Sequence, residues 1–122
     1  MQTVLVVDDE FGIVGVLEDV LSGAGYRVVT AIDGRRGLER LEESKPDVVL
    51  LDCMMPVLDG PGMLRAMAAH TVYNGIPVIM MSSLPEAAIA EMAQGYTAFL
   101  RKPFKIGVLI ETITRVLGSG LD

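Results

Sequence analysis

Short β-branched runs alternate along the chain with stretches whose apolar residues recur every three or four positions. The runs are Thr3 to Val7, Arg27 to Ala31, Asp47 to Leu51, Ile76 to Met81 and Thr97 to Leu100. Their apolar residues follow one another with little polar alternation, the pattern of strands covered on both faces. After the first run, Ile13, Val16, Leu17, Val20 and Leu21 fall at helical spacing, and Gly23-Ala24-Gly25 closes the helix. A second helix is predicted from Asp33-Gly34 to Ser44, stopped by Pro46. A third opens at Asp59-Gly60-Pro61, with Asp59 as cap and Pro61 in the first turn, and fades near His70. A fourth covers Pro85 to Gln94 and stops at Gly95. The fifth, Phe104 to Leu117, presents Leu109, Ile110, Ile113, Val116 and Leu117 to the sheet, before Gly118-Ser119-Gly120 loosens the end. A strand followed by a helix, five times over, predicts an α/β fold: a doubly wound parallel sheet with helices on both faces.

Length and composition narrow this further. The 122 residues, 51% of them apolar, suit one domain of residues 1–118 with a flexible end at 119–122. No apolar run approaches the ~18 residues of a membrane span. The start lacks a basic, cleavable leader and Cys53 has no partner for an internal disulfide, so the expected location is the cytoplasm, with no membrane contact. A net charge of -6 has the wrong sign for a phosphate backbone, so direct nucleic-acid binding is not expected.

In an open parallel sheet, side chains at the carboxyl ends of the strands converge on one crevice. Here those ends deliver Asp8-Asp9 after the first strand, Asp52 after the third and Ser82-Ser83 after the fourth, while Lys102-Pro103 follows the fifth. Singly, each has an ordinary explanation: helix caps for the aspartates and serines, a solvated surface charge for Lys102. Their coincidence at one sheet edge argues otherwise. Three carboxylates at close quarters repel unless a cation intervenes, and an all-oxygen donor set suits Mg²⁺, with Mn²⁺ as a substitute. A carboxylate beside such an ion can accept a phosphoryl group as an acyl phosphate, with Lys102 and Ser82 neutralising the remaining oxygens.

The segments Val6-Val7-Asp8-Asp9-Glu10, Leu50-Leu51-Asp52-Cys53-Met54-Met55-Pro56-Val57-Leu58-Asp59-Gly60, Val78-Ile79-Met80-Met81-Ser82-Ser83 and Leu100-Arg101-Lys102-Pro103-Phe104 closely resemble the receiver domain of bacterial two-component response regulators. The resemblance covers the whole chain. It implies a flavodoxin-like three-layer (βα)5 sandwich with strand order 2-1-3-4-5, similar to stand-alone single-domain regulators. It further implies Asp9 as direct Mg²⁺ ligand, Asp8 acting mainly through water, Asp52 as phosphoacceptor and the main-chain carbonyl of Met54 as the remaining protein ligand. Ser82 matches the switch hydroxyl, Ser83 a small residue whose N–H assists, Lys102 the cation, and Phe99 the aromatic that moves inward with the hydroxyl. Lys102-Pro103 falls where receivers have a cis peptide. The implied partners are a sensor histidine kinase or histidine phosphotransfer protein as donor, and a downstream protein target or output domain.

Departures from the family pattern carry their own expectations. Ser82 and Lys102 stand closer together than is common, so the fourth helix or its leading loop must be shorter, and Tyr96 follows Gly95 where receivers usually have alanine. Met54 and Leu84, expected beside the attacking water, cannot orient it by hydrogen bonding, which predicts slow self-hydrolysis of the phosphoaspartate. On the first helix, Val14 is expected to face outward beside Gly12 and Gly15. With Pro103 this makes Val14 and Gly15 the expected docking residues for a partner helix. His70 reads as a solvent-exposed residue, Cys53 as a small buried hydrophobe and most methionines as core filler. The competing reading is a phosphate-independent interaction module of the same fold. A phosphohydrolase of the haloacid-dehalogenase type needs Asp-x-Asp after the first strand, and a Rossmann domain needs G-x-G-x-x-G; neither is present. The chain is expected not to be an enzyme beyond catalysing its own phosphorylation and slow dephosphorylation.

Overall fold

The computed structural model describes residues 1–118; the expected flexible end at 119–122 lies outside the described residues. Ten elements alternate strictly: β1 (Thr3–Val7), α1 (Phe11–Gly23), β2 (Arg27–Ala31), α2 (Gly34–Ser44), β3 (Val48–Asp52), α3 (Gly60–Ala68), β4 (Val78–Ser82), α4 (Glu86–Met92), β5 (Ala98–Arg101) and α5 (Ile106–Gly118). The five strands form one parallel sheet in the order β2-β1-β3-β4-β5, as expected. The order reverses between β1 and β3, so the carboxyl ends of these central strands open on a shared crevice.

Strand alternation divides the apolar interior into two layers. Val4, Val6, Val48, Leu50, Ile79 and Met81 pack with Leu17 and Leu21 of α1 and Leu109, Ile113 and Val116 of α5. Leu5, Val7, Val49, Leu51, Val78 and Met80 face the other way, against Leu41 of α2, Met63 and Met67 of α3, and Ile89 of α4. All residues of β1, β3 and β4 are buried, which accounts for their unbroken apolar character.

The helix ends follow local chemistry. Asp33 and Asp59 accept hydrogen bonds from the N–H groups of Arg36 and Gly62, each at 2.8 Å, capping α2 and α3. Gly25, at φ 97°, turns the chain after α1 into the left-handed region that closes helices. Asp47 lies one residue before β3 rather than in it, and its carboxylate accepts from the Thr3 N–H at 2.7 Å, tying β3 to β1.

Several boundaries differ from expectation. β4 starts at Val78, because Pro77 lacks the N–H a central strand requires, and it runs on to Ser82. β5 starts at Ala98 rather than Thr97, and α5 starts at Ile106 rather than Phe104. α4 has seven residues, the shortest of the described helices, because Pro85 serves as its N-cap and Ala93 is already extended. α1 is turned from the expected orientation: Val14 is half-buried against the α1/α5 layer, while Phe11 and Val16 are 77% and 56% exposed. Val14 and Val16 lie at opposite edges of the apolar side of this helix, so spacing alone does not select which of the two is covered. Gly15 and Pro103 are exposed, as expected. His70 is exposed and stacked on Tyr73, Cys53 is buried, and Met63, Met67, Met80 and Met81 fill the core.

Leu50, fully buried in the central strand, gives a test of this packing. Leu50→Ala is expected to lower unfolding free energy by about 2–5 kcal/mol, read from urea denaturation midpoints at unchanged slope.

Candidate functional site

Two strand ends supply the three carboxylates. β1 runs directly into Asp8, whose side chain is fully buried, and the chain then emerges so that Asp9 is exposed. β3 ends in Asp52, which is 6% exposed. One ligand oxygen from each of Asp8, Asp9 and Asp52 lies within 4.8 Å of the others. The cap readings for the first pair and for the serines do not hold. The N-cap of α1 is Glu10, with no side-chain hydrogen bond, while Asp8 Oδ1 accepts from the Glu10 N–H at 3.0 Å. Likewise α4 starts at Pro85, while Ser82 Oγ accepts from the Leu84 N–H at 3.1 Å.

Lys102 is the cation that reaches this cluster. Its Nζ donates to Asp8 Oδ2 at 2.7 Å, and it stands 3.0 Å from Asp52 Oδ1 and 3.5 Å from Glu10 Oε1. The backbone holds it there: the Lys102 N–H donates to the carbonyl of Ser82 at 2.8 Å, extending the β4–β5 pairing, and the Lys102-Pro103 bond is cis. Glu10 as a further contact of Lys102 was not anticipated. Nor was Arg101, whose Nε donates to the Ser83 carbonyl at 3.2 Å. Both pairs are far apart in sequence and no local pattern reports them.

The charges do not balance. Asp8 and Asp52 share one ammonium, and Asp9 has no ion-pair partner among the described residues. Burial pushes the Asp52 carboxyl up to about 6 against the lowering effect of its hydrogen bond from Lys102, with Asp8 and Asp9 raising it further. Burial also draws Lys102 toward neutrality, but its hydrogen bonds and charge contacts with Asp8 and Asp52 outweigh this and hold it above the ordinary lysine value. Burial likewise raises the Cys53 thiol, with Asp52 and Asp59 adding to it, so it is no thiolate ligand at neutral pH. The donor set is therefore oxygen only, rich in negative charge and open to solvent at Asp9, which fits a hard divalent cation.

The other expected residues are distributed around this pocket. Ser82 is buried at the end of β4 and Ser83 is exposed beside it. Met54 and Leu84 are exposed in the loops after β3 and β4. Phe99 is half-buried on β5, packed against the α2/α3/α4 layer. Tyr96, also against that layer, donates its hydroxyl to Glu86 Oε2 at 3.0 Å and so links the start of α4 to the approach to β5. Between α1 and α5 runs an apolar groove of about 490 Å³, bordered by Gly12, Ile13, Val16, Pro103, Phe104 and Ile106, with Glu10 and Lys102 at its end.

Residues 4–114 match the family model for the response regulator receiver domain. Over 118 residues the chain is 40% identical to a probable transcriptional regulator ycf27 of Guillardia theta, covering 95% of this chain and 45% of that protein. It spans about half the length of the curated relatives it matches. Among solved structures, the chemotaxis response regulator CheY4 of Vibrio cholerae superposes with a TM-score of 0.90 at 34% identity, covering 96% of this chain and 99% of that one. The receiver domain of sensor histidine kinase PA1611 from Pseudomonas aeruginosa PAO1, described with a magnesium ion coordinated in its active-site cleft, gives 0.86 at 30% identity, covering 96% and 98%. Among the described residues no helix is long and apolar enough to cross a membrane.

The raised Asp52 value sets a pH test. Above pH 6 the folded protein holds Asp52 charged in a place that disfavours charge; between 6 and the ordinary 3.8 it binds a proton that the unfolded chain does not, so this cost disappears as pH falls. In metal-free buffer Asp52→Asn is expected to stabilise the fold by about 1–3 kcal/mol at pH 7.5 and by little at pH 4, measured by denaturant melts. A difference independent of pH contradicts the buried charge as its source.

Proposed function

The chain belongs to the response regulator receiver domain family, and from that membership we propose that it is a phosphoacceptor switch of a two-component or phosphorelay system, taking its phosphoryl group on Asp52 from a phosphohistidine. The supporting observation is the convergence of Asp8, Asp9, Asp52 and Lys102 on one pocket from two strand ends and the residue after the fifth strand. The phosphate-independent reading would fit better had any of Asp9, Asp52 or Lys102 been replaced.

In this reading Asp9 and Asp52 would hold Mg²⁺ directly, Asp8 would act mainly through water and the Met54 carbonyl would complete the protein's donors. When bound, the ion would offset the negative charge of the phosphoryl oxygens and of the carboxylates around them. An oxygen of Asp52 attacks phosphorus, a P–O bond forms, and the P–N bond to the donor histidine breaks with its electron pair returning to the imidazole. Lys102, already 3.0 Å from Asp52, meets one phosphoryl oxygen. The Ser82 hydroxyl leaves the Leu84 N–H and turns to another, and the Ser83 N–H assists. Phe99 moves inward as Ser82 moves, altering the α4, β5 and α5 face that a target protein or output domain reads. The donor docks on α1 and the start of α5, with Gly15, Pro103, Phe11 and Val16 as contacts in place of Val14. No side chain at Met54 or Leu84 can hold an attacking water by hydrogen bonding, so the phosphoaspartate persists.

Incubation with acetyl phosphate and Mg²⁺ is expected to add the mass of one phosphoryl group, seen by intact-mass spectrometry, with the gain lost in Asp52→Asn and suppressed by EDTA. A gain that survives the Asp52 substitution overturns the assignment. The phosphorylated protein, freed of donor and left with Mg²⁺, is expected to decay over minutes or longer; complete loss within seconds contradicts slow self-hydrolysis.

A further inference from the structure

The loop between β3 and α3 follows Asp52 directly and carries Met54 two residues on, and it is pinned at both ends by glycines. At the near end the Gly60 N–H donates to the Cys53 carbonyl at 2.9 Å, and a Cβ on Gly60 would stand 2.4 Å from the Asp52 carbonyl oxygen and 2.9 Å from Cys53 Cα. At the far end the Gly34 N–H, at the start of α2, donates to the Leu58 carbonyl at 2.9 Å, and a Cβ there would stand 2.5 Å from that oxygen. Between the pins the chain makes a tight turn, the Leu58 N–H donating to the Pro56 carbonyl at 2.8 Å across Val57, whose φ is 70°. Val57 is β-branched and 75% exposed, so its own packing does not hold it in this disfavoured conformation; the pinned ends do.

From these contacts we propose that Gly60 and Gly34 are positioning residues for the acidic pocket, fixing the loop so that the Asp52 carboxylate and the Met54 carbonyl face the same point. The inference rests on the phosphoacceptor reading. Both clashes fall on main-chain atoms, which cannot swing aside as a side-chain tip can. Relief of the Gly60 contact requires the Asp52 backbone and α3 to separate by about 1 Å, since ordinary contact begins near 3.4 Å. A shift of that size at a reacting group costs roughly a hundredfold in rate. Gly37 is also crowded but different in kind, because its Cβ would meet side-chain atoms and not main chain: the flexible end of Met63, Sδ at 2.7 Å and Cε at 2.9 Å, and Val7 Cγ2 at 3.2 Å.

Gly60→Ala, Gly34→Ala and Gly37→Ala are compared with the unaltered protein, at temperatures where circular dichroism shows each folded. Three measurements are made: Mg²⁺ affinity by calorimetry, the rate of mass gain with acetyl phosphate, and the melting temperature. Gly60→Ala and Gly34→Ala are expected to weaken Mg²⁺ binding and to slow phosphorylation by roughly ten- to a hundredfold. Gly37→Ala is expected to lower the melting temperature while leaving both at the unaltered value. If Gly60→Ala does not fold, Gly34→Ala decides, since it perturbs the loop from the end remote from Asp52. Unaltered affinity and rate in the folded Gly60 and Gly34 variants overturn the inference, as does an equal loss in Gly37→Ala, which marks a general effect of instability. An unaltered protein that neither binds Mg²⁺ nor gains mass overturns instead the phosphoacceptor reading beneath it.

Discussion

A surplus of negative charge at one edge of the sheet is the constraint around which the molecule is organised. Two buried carboxylates, Asp8 and Asp52, are balanced by one ammonium, and Asp9 stands beside them without an ion pair among the described residues. Buried charges are tolerated only when paired and hydrogen-bonded, and removal of one partner from such a pair costs about 3–5 kcal/mol. Lys102 reaches across 94 positions of sequence to Asp8, so that cost is averted by the fold itself and not by any local element. The arrangement leaves Asp52 poorly disposed to carry its charge unaided, the state from which association with a divalent ion or with phosphorus gains most.

What surrounds the acids keeps them in register. β1 and β3 are buried on both faces and paired residue for residue from Val4 with Val48 to Val7 with Leu51, so the two acidic strand ends cannot slide past one another without moving apolar residues between layers. The loop after Asp52 has no regular structure of its own, and it is held by main-chain approaches at Gly34 and Gly60 too close to admit a Cβ. Rigid strands and a pinned loop together place oxygen atoms from distant segments close enough to act as one site.

Much of this was legible in the sequence. Five β-branched runs, the Asp59 cap and the order of the polar strand ends specify the sheet, the helices and the composition of the pocket, because each depends on residues within a turn or two of one another. What was not legible depends on contacts between remote segments. Spacing could select the apolar side of α1, opposite Glu18, Asp19 and Ser22, but not which of its edge residues is covered, and the structure turns Val16 outward and Val14 in. Pro77 shortens β4 at its start because a missing N–H outweighs an apolar side chain at Ile76. Gly60 reads in sequence as ordinary turn chemistry; only the approach of the Asp52 carbonyl explains why no side chain fits there. The contacts of Lys102 with Glu10, of Arg101 with Ser83 and of Tyr96 with Glu86 have no local signature at all.

The division of the interior into two apolar layers has a consequence for how the two faces of the sheet are connected. The groove beside α1 and α5 lies on one side of the sheet, while Phe99 and Tyr96 pack on the other. Between them stand β1, β3 and β4, in which Thr3 is the one polar residue short of the carboxyl ends, so the sheet offers few polar contacts across most of its area. The exception is its carboxyl edge, where Asp52, Ser82 and Lys102 belong to neither layer. The polar side chains that border both flanks are therefore gathered along that rim, through Asp52, Ser82 and Lys102.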